Sequence, residues 1–137
     1  YKALEARASQ LGVLKGIEGI ERANLILKDL NELNVKTPMK KHKCVKSYEN
    51  YVMELPEEDV MAHIYVRHFG DMFGGAMIKE KVPGWGRMYQ FNDKSELIRE
   101  VRSRLKPEMA KEANIVFDFA IMLFEEMAYE HRIPETN

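Results

Sequence analysis

The stretch Arg67-His68-Phe69-Gly70-Asp71-Met72-Phe73-Gly74-Gly75 sets three glycines and a carboxylate inside an apolar periodicity that otherwise predicts one long helix, from Pro56 to about Val82. A glycine in a helix interior costs roughly 1 kcal/mol against alanine, so three cost about 3 kcal/mol unless something offsets them. Gly70 and Gly74 are four apart and share a face, leaving a strip of bare backbone against which something flat or bulky can lie. Asp71 sits at the rim of that strip. His63, Arg67 and Asp71 follow at i, i+4 and i+8, an ionisable row that runs into the notch, while Met61, Ile64, Tyr65, Phe69, Met72 and Phe73 surround most of the helix. A second helix crossing over small residues would explain the glycines. A solvated surface would explain the row. Apolar residues hemming the row on both sides favour a site.

The chain has 137 residues, 45% hydrophobic content and a net charge of −1, which predicts one domain with a single core and gives no electrostatic reason to seek nucleic acid. One cysteine, Cys44, excludes an internal disulfide framework and a cysteine metal cluster. No apolar run approaches the ~20 residues that span a bilayer. The expectation is a soluble, cytoplasmic protein without a membrane span.

Elsewhere the spacing is helical too. Helices are expected from Tyr1 to about Leu11, Glu21 to Leu33, Val45 to Leu55, Lys94 to Leu105 and Pro107 to about Glu130, with Gly12, Gly16 and Gly19 loosening the first passage and Asn34 to Lys43 forming a loop. Pro56 suits a first helical position, and Glu57, Glu58 and Asp59 set negative charge at the positive end of the helix dipole. Pro83-Gly84-Trp85-Gly86 breaks the notched helix, Arg87 to Asn92 reads as irregular or extended, and Asn92 or Asp93 can cap the next helix. The fold class is all-α. Tyr1-Lys-Ala-Leu-Glu-Ala-Arg-Ala is already helical in pattern with no start signal before it, which predicts a chain that begins inside a helix.

Tyr1-Lys-Ala-Leu-Glu, Asp29-Leu30, Ala62 through Gly75, Val101-Arg102-Ser103-Arg104, Phe117 and Leu123-Phe124-Glu125-Glu126 stand in the order and spacing of one known family. From Tyr1 to about Met127 the chain resembles the haem oxygenases, most specifically in the pattern His63-x-Tyr65-x-Arg67-x-x-Gly70-Asp71-x-x-Gly74-Gly75. The resemblance implies a haem oxygenase-like multi-helical single domain over 1–137 that clamps haem between a proximal and a glycine-bearing distal helix. It implies oxidative opening of haem to biliverdin, with release of carbon monoxide and ferrous iron. Electrons would come from ferredoxin or another reductase. The family's axial histidine lies on a first helix that would precede Tyr1, so no metal ligand is expected within the chain.

The same resemblance assigns roles. Asp71 holds a water that passes a proton to bound oxygen, with Arg67 and Tyr1 in its water network. Gly70, Gly74 and Gly75 take the haem face beside Met72 and Phe73, Arg102 and Tyr65 meet the propionates, and Phe117 and Phe124 line the pocket. Phe73 stands where a small residue is common, Ala76 replaces a glutamine, Ala120 an asparagine, and Ile98 a propionate-binding lysine, leaving Arg99 or Arg102 to do more. His63 reads as a satisfied buried histidine, His68 as pointing elsewhere, and neither His42 nor His131 has metal-ligand spacing.

Lys36, Lys40, Lys41, Lys43 and Lys46 form the one local charge bias. They read as a solvated loop or as a surface that steers an acidic, ferredoxin-like electron donor. Two other functions stay open: a degenerate relative that binds or interacts without turnover, and another enzyme acting on a small heterocycle, which would need a cysteine or paired carboxylates in the pocket.

Overall fold

The computed structural model describes residues 1–35 and 41–132. Among them stand the helices α1 (Lys2–Gln10), α2 (Ala23–Glu32), α3 (Lys43–Met53), α4 (Glu57–Lys79), α5 (Lys94–Ser103) and α6 (Ala110–Arg132), with 3-10 turns at Glu18–Ile20, Arg87–Tyr89 and Pro107–Met109 and no strand. The expected all-helical class is what the chain adopts. No helix among the described residues is long and apolar enough to cross a membrane.

The core gathers around α4. Ile64, Phe69 and Met72 of that helix close on Ala8 of α1, on Ile17 and Ile20 of the following turn, and on Leu97 and Val101 of α5. Each fully buried side chain of this size contributes about 1.5–3 kcal/mol. α6 packs along α4 from the other side, and α3 fills in between α1 and α6.

Several helix ends are set from a distance. α3 starts at Lys43, two residues ahead of its apolar periodicity, because the Glu126 carboxylate on α6 accepts from the Cys44 amide at 3.1 and 3.2 Å. α2 starts at Ala23 because the carboxylate of Glu5 on α1 accepts from the amides of Arg22 (2.6 Å) and Ala23 (3.0 Å). At α4, Pro56 takes the cap position with extended backbone, and the three acidic residues fill the first turn. Asp93 occupies the cap of α5 through a left-handed backbone (φ 52°), its side chain making no capping bond. The last helix is preceded by the Pro107 3-10 turn rather than beginning at the proline.

Between α1 and α2 the chain reverses on Gly12 (φ +73°) and Gly16 (φ +86°), a left-handed geometry that glycine adopts without strain. Arg22, just ahead of α2, ties this reversal to the turn after α4. Its guanidinium, 3% exposed, donates to the carbonyls of Gly19, Ile20, Glu21, Met88 and Gln90 and stacks 3.7 Å over the Phe91 ring. Asp29 on α2 accepts from the amides of Arg87 and Met88, both at 3.0 Å, which fixes the turn carrying Tyr89 against α4.

Candidate functional site

α4 runs unbroken through its glycines, and the three are not equivalent. A Cβ on Gly70 or Gly74 would meet nothing within 4 Å, whereas one on Gly75 would sit 2.9 Å from the Tyr89 ring. Gly75 therefore serves a close approach, and Gly70 and Gly74 are left bare toward open space. Phe73 and Met77 share their side of the helix and are 52% and 73% exposed. The spacing 70, 73, 74, 77 is that of an apolar helix face, here exposed rather than covered by another helix among the described residues.

Other groups border this strip. On one flank, Arg102 of α5 has its guanidinium 6.0 Å from the Phe73 ring centroid, and Lys94 has its ammonium 5.7 Å from the same ring. Phe73 continues through Phe69 to Tyr65, with ring centroids 5.5 and 5.3 Å apart. On the other flank, the Tyr1 hydroxyl bonds the Asp71 carboxylate and lies 2.9 Å from the Arg67 carbonyl oxygen, and the Arg67 guanidinium stands 5.8 Å over the Tyr1 ring. Burial pushes the Asp71 carboxyl up to about 6, so near neutrality it exchanges a proton readily.

The ionisable row expected along α4 divides. His63 turns fully inward: the Tyr48 hydroxyl donates to Nδ1 at 2.7 Å and Nε2–H donates to Glu112 at 2.8 Å, the tautomer that satisfies all three groups. Tyr51 donates to the same Glu112 oxygen. Arg67 and Asp71 stay at the edge with Tyr1. His68 is also fully buried, with Nε2–H donating to Glu5 at 2.9 Å and its ring edge-on to Tyr1. Burial lowers the pKa of both histidines.

Tyr1, Arg67 and Asp71 are thus assembled, as are Gly70, Phe73, Gly74 and Arg102. Met72 is not on the strip: it is 1% exposed and faces the core on the opposite side of α4, and Gly75 is covered by Tyr89. Tyr65 joins only through Phe69. Phe117 and Phe124 project from α6 at 54% and 70% exposure, with no ring contact to the strip. Ile98 is half-buried against the core, and Arg99 pairs with Glu96. Of the lysine segment, Lys36 and Lys40 lie outside the described residues and Lys41 pairs with Glu49 at 3.1 Å.

Two features were missed from sequence. Tyr89 gave no local signal, since its position depends on Asp29. Lys94 did give one, standing one turn before Ile98 in the same column of α5.

A separate cavity of about 140 Å³ lies among α1, α3, α4 and α6, bordered by Tyr1, Cys44, Tyr48, Arg67, Phe119 and Ala120. Ligand pockets for molecules of drug size run to roughly 300–1,000 Å³, so this cavity is smaller than such a pocket. Among the described residues no group of three or more His, Cys, Asp or Glu side chains gathers as for a metal ion. Compared with known families, curated proteins and solved structures, the chain matches no family model, no curated protein and no solved structure.

Proposed function

We propose that the chain is a haem oxygenase, taking haem as substrate and yielding biliverdin, carbon monoxide and ferrous iron. The observation that carries this reading is the bare backbone of Gly70 and Gly74, open to space, with the proton-exchanging Asp71 on one flank and the cation of Arg102 on the other.

A porphyrin is a rigid apolar disc, and backbone without Cβ atoms lets it approach closely. Gly70 and Gly74 would take its face, the Phe73 ring and Met77 its apolar periphery, and Arg102 a propionate. The haem iron, when bound, supplies the activation of dioxygen. Asp71 keeps a proton available beside that face: Tyr1 occupies Oδ2, which leaves Oδ1 to hold a water. Arg67 steadies Tyr1 from above its ring. The reaction also needs electrons, and an acidic ferredoxin-like donor docking at Lys43 and Lys46 is the partner proposed for it.

The test mixes the protein with hemin, with and without added imidazole as an iron ligand, followed by a chemical reductant. A Soret band that gives way to bilin absorbance is expected. Asp71→Ala should keep the Soret band and lower bilin yield roughly a hundredfold. Unchanged bilin yield in Asp71→Ala would remove the assigned role, and absence of any Soret band would remove the reading.

One observation favours a second reading, a tetrapyrrole-binding module without turnover. His63 has both ring nitrogens bonded within the protein, and His68 is fully buried on the inner side of α4 with Nε2 held by Glu5, so neither faces iron at the strip. A stable Soret band with no bilin under every reductant would select it.

A further inference from the structure

We infer that the cavity among α1, α3, α4 and α6 is a binding site for a small aliphatic monocarboxylate, held at its head by Arg67. The site is separate from the glycine strip and needs no tetrapyrrole there. Among the described residues, the other arginines that are not exposed spend their guanidinium hydrogens on protein oxygens. Arg7 donates to the Leu55 carbonyl, Arg22 to five carbonyls, Arg87 to Asp29 and Glu32, and Arg104 to Glu100 and two carbonyls. Arg67 is half-buried as well, yet its guanidinium makes no hydrogen bond or ion pair among these residues and only stands 5.8 Å over the Tyr1 ring. A guanidinium carries five donors, and taking them partly out of water without an acceptor costs stability. An anion in the cavity would supply the acceptor.

The rest of the lining selects the kind of anion. Its other polar groups are already engaged within the protein: the Tyr1 hydroxyl with Asp71, the Tyr48 hydroxyl with His63 Nδ1 at 2.7 Å, and the Cys44 thiol with Glu126. What remains is apolar, with Leu4 and Val116 fully buried at the floor and Val45, Phe119, Ala120 and Leu123 half-buried around them. Arg67 belongs to the half-buried rim. A ligand therefore enters tail first, its carboxylate stopping at the fork of the guanidinium, which matches two carboxylate oxygens at once. Size sets the tail. A dry cavity of about 150 Å³ takes up benzene, and this one has about 140 Å³, so about six or seven heavy atoms fit. A branched acid of five carbons meets both demands. Phosphate or sulfate, wholly polar, would leave the apolar floor unfilled.

The test titrates isovalerate and its neutral counterpart isovaleramide into isotopically labelled protein and follows the backbone amide shifts of Phe119, Ala120 and Leu123 by NMR. Isovalerate is expected to saturate these shifts with about tenfold or greater preference over the amide, the range for a charge-assisted pair in a partly buried site. Arg67→Gln should bring the two ligands to equal affinity. Ala120→Leu, which fills the cavity from its own wall, should abolish binding of both, and helical circular dichroism checks that each variant is folded. Equal affinity of the two ligands for the wild type would overturn the assignment whether or not a variant folds. So would shifts that never saturate, or a preference that survives in folded Arg67→Gln. Hemin binding at the strip is untouched by any of these outcomes.

Discussion

On its inner side α4 carries His63, Ile64, His68 and Met72, each 1% exposed or less, while on its outer side Gly70 and Gly74 open to space beside the exposed Phe73 and Met77. The inner side is tied to its neighbours: His63 bridges α3 and α6 through Tyr48 and Glu112, and His68 bonds Glu5 of α1 through Nε2, its Nδ1 being buried without a partner among the described residues. Glycine in the outer side costs helix stability, and the exposed apolar rings return none of it. A close helix crossing would have filled the groove at Gly70 and Gly74; only Gly75 is filled, by Tyr89. The contrast teaches that one helix can hold a face stabilised by its neighbours and a face whose glycines no contact among the described residues offsets, and the second is where the proposed binding lies.

The largest expected effect lies inside. His63→Ala would leave Glu112 buried with only Tyr51 and deprive the Tyr48 hydroxyl of its acceptor, a loss of about 3 kcal/mol or more in urea unfolding. A loss under about 1 kcal/mol would mean that the inner face relaxes freely and is no anchor.

The glycines give a sharper division. Gly75→Ala forces a methyl into the Tyr89 ring, which Asp29 keeps from retreating, and should cost about 1–3 kcal/mol. Gly70→Ala or Gly74→Ala should instead stabilise by roughly 0.5–1 kcal/mol while weakening hemin binding. If all three substitutions shift the thermal midpoint in one direction, the two faces are not distinct.

The smallest effect is in pH. Between the ordinary aspartate pKa near 4 and the value of about 6 held by Asp71, the unfolded chain has lost a proton that the folded chain keeps, so this residue subtracts stability above that window. Asp71→Asn should therefore gain on the order of 1 kcal/mol at pH 7, after discounting for partial exposure, and nothing at pH 4. His63 and His68 act with the opposite sign: burial lowers their pKa values, so the stability they allow is fully present above about 6.5 and declines as pH falls below it. Comparing Asp71→Asn with the wild type in paired urea melts cancels the histidine contribution.

Much of this was legible in the sequence. The period around Pro56 to Val82 marked α4 because 23 residues of helix repeat the signal several times, and three glycines beside Asp71 stand out against any helical background. His63 was readable as a satisfied histidine from its apolar neighbours. Met72 was harder, since an apolar surround on nearly every side hides which side is inward. The onsets of α2 and α3 could not be read locally, because their capping carboxylates, Glu5 and Glu126, lie 17 and 82 residues away in sequence.

Arg22 carries a consequence of its own. One planar group with five hydrogens serves five carbonyl oxygens from two irregular segments, 19–21 and 88–90, that have no ladder or long helix to occupy them. Lysine has the charge but only three hydrogens on a single nitrogen, so Arg22→Lys would strand at least two of those oxygens and uncouple segments that now share one fastening.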